Sequence, residues 1–269
     1  MSRIDAALRD LRSLDALASR DTALARLDAR AKVVTTLAFI VAVVSFDRYT
    51  VAALLPLAAY PVALAVLGEV PAAPLARKLL LAAPFAVLVG IFNPLFDRAP
   101  MLVLGDLTVT AGWVSFASIL LRFALTVGAA LVLVAGTGMH ALCVALARLG
   151  VPQVLTAQLL FLYRYAFVLG GEASRMATAR ELRSNGRALA LSAYGPLLGH
   201  LLLRAYERAQ RIHWAMTARG FDGELRSLRT LRWSPRDTAF ALGWCLFFLL
   251  VRLVDLPQAL GRWLIGVGG

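Results

Sequence analysis

Two short runs hold the residue types best suited to gripping another molecule. One reads Glu181-Leu182-Arg183-Ser184-Asn185-Gly186, the other Ala215-Met216-Thr217-Ala218-Arg219-Gly220-Phe221-Asp222-Gly223. Each follows a helical pattern, delivers an arginine to its tip and then stops at a glycine. A guanidinium is permanently charged and offers five fixed donors, so it can bond a helix C-terminus or a carboxylate bidentately. A following glycine lets a foreign backbone approach closely. One such arginine would also suit its own helix dipole, and an exposed charge contributes little. The repetition, at the ends of two consecutive helices, points to a partner.

Long helices must carry these tips. Apolar residues at 155, 159, 162, 166, 169, 173 and 176 recur in steps of four and three, a helical seam over 153–184. Pro152 suits its first turn and Asn185-Gly186 a left-handed stop. Residues 197–219 repeat the pattern. Leu198, Leu201, Ala205, Ala209, Ile212 and Met216 form one stripe, with Pro196 near the start and Gly220 at the stop. Glu207 and Arg211 are spaced for an i,i+4 ion pair. The small Ala205 and Ala209 would allow the two helices a close crossing.

The stretch 171–236 that holds both tips carries twelve arginines against five acidic residues. It lies in a chain of 269 residues that is 60% apolar, with a mean hydropathy of +0.73. Ordinary soluble domains are about 45–50% apolar, so the excess calls for lipid. The net charge of +12 would suit nucleic acid, but the basic residues stand beside apolar spans and read as cytoplasmic topology signals. Candidate spans are 33–46, 51–67, 79–96, 112–138 and 238–254. Basic residues concentrate in 1–32, 68–78 and 139–236. The expected fold is therefore all-α and polytopic, with about five transmembrane helices. A cytoplasmic module of long crossing amphipathic helices completes it. Its regions are 1–32, an amphipathic interfacial helix with Ile4, Leu8, Leu11 and Leu14 on one face; 33–138, four transmembrane helices; 139–236, the cytoplasmic module; and 237–269, the last span and an external tail. Loop 97–111 holds two β-prone runs around Gly105-Asp106, the pattern of a small hairpin.

Other reactive residues carry less. Cys143 and Cys245 form no pair or CxxC motif, which gives no indication of redox or zinc chemistry. Met139, His140 and Cys143 cluster in sequence without a carboxylate or a diagnostic metal spacing, so no metal site and no cofactor are expected. His200 and His213 are thirteen residues apart and read as surface or packing residues. Arg122 stands inside a span with no carboxylate in any span to pair it. Either the helix shifts to bring Arg122 to the outer interface, or another subunit supplies its partner. No G-x-x-x-x-G-K-[ST] run is present, so the chain offers no phosphate loop.

Ala218-Arg219-Gly220, flanked by Ala215-Met216 and Phe221-Asp222-Gly223, resembles the second arginine motif of the transmembrane T component of energy-coupling-factor transporters. These are a branch of ATP-binding-cassette importers. The context is most similar to the Q subunit of cobalt or nickel importers. Arg183-Ser184 matches the first motif, with Leu182 where the family often has alanine; Arg180 and Arg187 stand near enough to compete. The resemblance implies that Arg183, Ser184, Ala218, Arg219 and Gly220 bind two cytoplasmic ATPase subunits, and that a separate membrane subunit holds the substrate. The chain would then be a non-catalytic coupling subunit in the inner membrane. The competing readings are a secondary transporter or channel, which would want broken helices or acidic residues in its spans, and a membrane-embedded enzyme. The features either would need are missing from the sequence.

Overall fold

The computed structural model describes residues 15–47, 49–96, 100–104, 107–183, 194–221 and 233–253. Contacts divide the chain into two units: residues 1–16 with 139–230, and residues 17–138 with 231–269.

The second of these is the apolar unit. Asp28 starts its first helix, α1 (Ala29–Val44), by accepting a bond from the Arg30 N–H, an N-cap. α2 (Val51–Leu54) runs through a 3₁₀ turn at Pro56–Ala58 into α3 (Ala59–Leu67). Then come α4 (Ala72–Gly90), α5 (Phe92–Phe96), strands β1 (Pro100–Leu104) and β2 (Leu107–Thr110), α6 (Ala111–Thr137) and, late in the chain, α10 (Pro235–Leu253). The strands pair antiparallel with Leu104 opposite Leu107, as the hairpin pattern predicts. α6 is the hub and packs against α1 to α5, while α1 also packs along α10.

The core between α1, α3 and α10 is aromatic. Phe39 and Tyr60 rings lie 4.8 Å apart, and Phe248 meets both. The Tyr60 hydroxyl reaches Thr36 at 2.8 Å and Thr35 at 3.1 Å, and the threonines bond backward to carbonyls of α1. The hydroxyls of Thr35, Thr36 and Tyr60 are thus all paired, as an apolar surrounding demands.

The five expected spans correspond to α1, α2–α3, α4–α5, α6 and α10, with shifted edges. Arg77 and Lys78, expected in a loop, lie in the second turn of α4. The interfacial helix does not run to residue 32. Residues 15–18 are helical, turns follow, and α1 begins at Ala29. Leu24 lies in the break. It is fully buried and packs against Gly136, where an added Cβ would stand 2.5 Å from the Leu24 Cδ2 and force that side chain to shift. The rest of 1–32, residues 1–14, is outside the described residues.

The other unit contains α7 (Met139–Arg148), α8 (Gln153–Arg183) and α9 (Tyr194–Thr217). α8 and α9 match the two predicted helical seams closely. Gly150, at φ 99°, ends α7, and Val151 N–H closes onto the Leu146 carbonyl at 3.1 Å. Among the described residues three helical stretches are long and apolar enough to cross a membrane: Ala72–Pro94, Ala111–Thr137 and Gln153–Arg183; α1, α2–α3 and α10, expected as spans, are not among them. The third is α8, which the sequence reading placed in the cytoplasm. The fold is that of an all-α polytopic membrane protein with one small hairpin.

Candidate functional site

α8 and α9 build the candidate site. They pack antiparallel: Phe161, Tyr165 and Leu169 of α8 face Met216, Ile212 and Ala205 of α9 across one groove. One end of each helix therefore points away from the other's tip. Arg183, the last residue of α8, and Arg219, just past α9, stand at opposite ends of the pair. Measured from the Glu172–Arg204 contact, Arg183 lies about 16 Å along α8 and Arg219 about 22 Å along α9 at 1.5 Å per residue.

Arg219 is held by a closed helix terminus. Gly220 adopts φ 77°. Its N–H bonds the Thr217 carbonyl at 3.0 Å, and the Phe221 N–H bonds the Met216 carbonyl at 3.0 Å. This pair of bonds is a Schellman motif with Arg219 as C-cap and Gly220 at the left-handed position. The accompanying apolar residues, Met216 and Phe221, line the same groove. A side chain at residue 220 would be strained at that φ, so the glycine is needed for the turn itself. Ala218, Arg219 and Gly220 are all exposed. Fixed backbone and free guanidinium together make a rigid base with a reaching donor group.

Arg183 and Arg180 are also exposed, on the last turn of α8. Ser184 and Arg187 are outside the described residues, as are Asn185 and Gly186. The first tip therefore has its arginine described but not its stop.

Between the tips, the expected Glu207–Arg211 pair forms at 3.8 Å. A pairing that sequence spacing did not reveal joins the helices: Glu172 accepts from Arg204 on α9, and from Arg175 on its own helix at 2.8 Å. Only the fold brings residues 172 and 204 together. Ala205 and Ala209, small enough to allow a close crossing, line an open apolar groove of about 390 Å³ together with Leu169, Ile212 and Met216.

The remaining sequence candidates separate. Cys143 is buried and His140 exposed, and no group of three His, Cys, Asp or Glu able to hold a metal occurs among the described residues. His200 and His213 are exposed. Arg122 reaches the loop that follows α1. Its Nη2 donates to the Asp47 carbonyl just past α1, within its own unit, while its Nε is buried without a partner. Arg252, which sequence reasoning passed over, joins it at that helix end. Its Nε donates to Ser45 Oγ at 3.0 Å, and its guanidinium covers the Phe46 ring at 5.1 Å. Cations there answer the negative end of the helix dipole.

Comparison with known proteins agrees with the family resemblance. The CbiQ cobalt transport protein family matches residues 20–231. A cobalt transport protein CbiQ of Rhodobacter capsulatus is 35% identical over 100 residues, covering 36% of this chain and 40% of the relative. An uncharacterised protein of Methanocaldococcus jannaschii, MJ1089, is 36% identical over 87 residues, 31% of this chain and 32% of its own length. A second from that organism, MJ1571, is 27% identical over 138 residues, 50% of this chain and 47% of its own. The matched stretches thus span less than half of each relative. With a family match over most of its length and the helical membrane fold described above, the chain belongs to the CbiQ cobalt transport protein family.

Proposed function

We propose that this chain is the membrane coupling subunit of an ATP-driven cobalt importer. Arg183 and Arg219 dock into two cytoplasmic ATPase subunits, and the helices behind them pass motion to a separate membrane subunit that holds the ion. The observation that carries the reading is the Schellman-closed terminus beneath Arg219. It leaves the guanidinium exposed on a backbone that cannot fray easily. A merely topological arginine needs no such support. The antiparallel pairing of α8 and α9 fits the reading too, because it presents one tip to each of two partners. The family description supplies the cargo, cobalt.

The chain itself hydrolyses nothing in this scheme. Expression with its neighbours in native membranes, followed by affinity purification, tests it. ATPase chains should copurify, and hydrolysis should appear only in fractions that contain them. Cobalt flux through vesicles holding this chain alone would instead support an independent transporter.

A further inference from the structure

We infer that Glu172 is a positioning residue that sets the geometry between the two arginine tips. Its functional meaning rests on the coupling role proposed above, but the observations are its own. The carboxylate accepts from Arg204 across the helix pair and from Arg175 one turn on along α8. Its side chain is 17% exposed, against 71% for Arg175 and 61% for Arg204. The acid is thus tucked between the helices and the cations reach in from solvent. It is the one ion pair linking α8 to α9 among the described residues.

Packing alone does not fix the pair. On the Arg219 side of Glu172 the helices flank an open apolar groove of about 390 Å³ instead of interlocking along their whole length. On the Arg183 side, Leu198 and Leu202 of α9 remain exposed. Apolar contact is non-directional and would tolerate several relative placements of two smooth helices. A carboxylate held by two guanidiniums is directional. Glu172 therefore sets the register and angle that apolar contact leaves loose, and so the span between Arg183 and Arg219. Exposed arginines make this a weak bond energetically. Its consequence lies in geometry more than in stability.

The test uses the assembled complex in lipid vesicles, with Co²⁺ as the transported probe. Spin labels at Ala179→Cys and Ala215→Cys, with Cys143 and Cys245 replaced by alanine, report the distance between the helix ends. Glu172→Gln should broaden that distance distribution while the ATPase chains still copurify. Cobalt carried per ATP hydrolysed should fall by about ten-fold, a common size for one lost coupling interaction. Arg204→Gln should do the same. A short reversible thiol cross-linker between Glu172→Cys and Arg204→Cys should restore transport, and reduction should abolish it again. An unchanged distance distribution or an unchanged transport-to-hydrolysis ratio in both Gln variants overturns the inference. So does loss of the ATPase chains together with transport, since Glu172 would then be needed only for folding. If the parent complex retains no ATPase chains, the coupling role itself falls, and the distance measurement still judges the brace.

Discussion

The Asp237 carboxylate holds the Asp28 backbone N–H at 2.7 Å with one oxygen and the Ser234 N–H at 2.7 Å with the other. Ser234 in turn accepts from the Arg236 N–H, so Ser234 and Asp237 form a capping box at the start of α10. Asp28 is the N-cap of α1. One buried carboxylate therefore ties the starts of two helices that are 209 residues apart in sequence. Both helix N-termini favour its negative charge. Asp237→Ala leaves two backbone donors without acceptors, at about 1–3 kcal/mol each where buried. The thermal midpoint of the detergent-purified protein should drop clearly for alanine and less for Asp237→Asn, which keeps one oxygen. An unchanged midpoint for alanine would mean that the two helix starts are held by other contacts.

Asp28 gives the same junction a pH dependence. Burial pushes its carboxyl up, but hydrogen bonds from Arg30, with the charges of Arg30 and Lys32, outweigh that and hold it below the usual carboxylate range. A carboxyl depressed on folding contributes stability that is complete above its unfolded pKa, about 3.9. That stability is lost as pH falls through the lower folded value. Asp28→Asn should therefore be less stable at neutral pH, and its difference from the parent should shrink under acid. A difference that grows as pH falls would reverse the sign and refute the pairing.

Arg122 predicts a smaller effect than its position suggests. Its bond to the Asp47 carbonyl is offset by a buried Nε with no partner. Replacing such a charge by an apolar residue of similar length is often close to neutral. Arg122→Met should change stability by no more than about 1 kcal/mol. A loss above about 3 kcal/mol would show a strong partner that the isolated chain does not contain.

The tips themselves should respond in transport more than in folding. Both arginines are exposed, so Arg219→Ala and Arg183→Ala should insert normally. In a formed complex, removing one member of a buried charge-assisted pair costs about 2–5 kcal/mol of association. ATPase copurification and cobalt uptake should fall together. Arg226→Ala, on the same basic stretch but outside both motifs, is the control. Equal damage from all three would reduce the stretch to a basic face that sets topology.

Topology has its own outcome. The excess of arginine in 139–236 predicts that this region lies inside and the end of the chain outside. Reporters fused at Ser227 and Gly269 should mark opposite sides. The same side for both would mean that α10 does not cross the bilayer, and the five-span count would fall.

Local signals in the sequence were enough to place α8 and α9, because a seam of period 3.6 and a terminal glycine are properties of neighbouring residues. The Schellman turn at Gly220 was legible for the same reason: left-handed backbone and its closing bonds involve only residues 216–221. The hairpin at 100–110 followed from two β-prone runs around a Gly-Asp pair. Pairings across the fold were not legible. Nothing within a few residues of Glu172 names Arg204, nothing near Asp28 names Asp237, and Arg122 gives no hint of the Asp47 carbonyl. The break between residue 18 and α1, where Leu24 is buried against Gly136, was likewise hidden, since that contact is long-range. Helix identity and tip chemistry are short-range and were fixed by the residues in order. The antiparallel packing that sets Arg183 and Arg219 at opposite ends depends on which faces meet, and only the folded chain decides that.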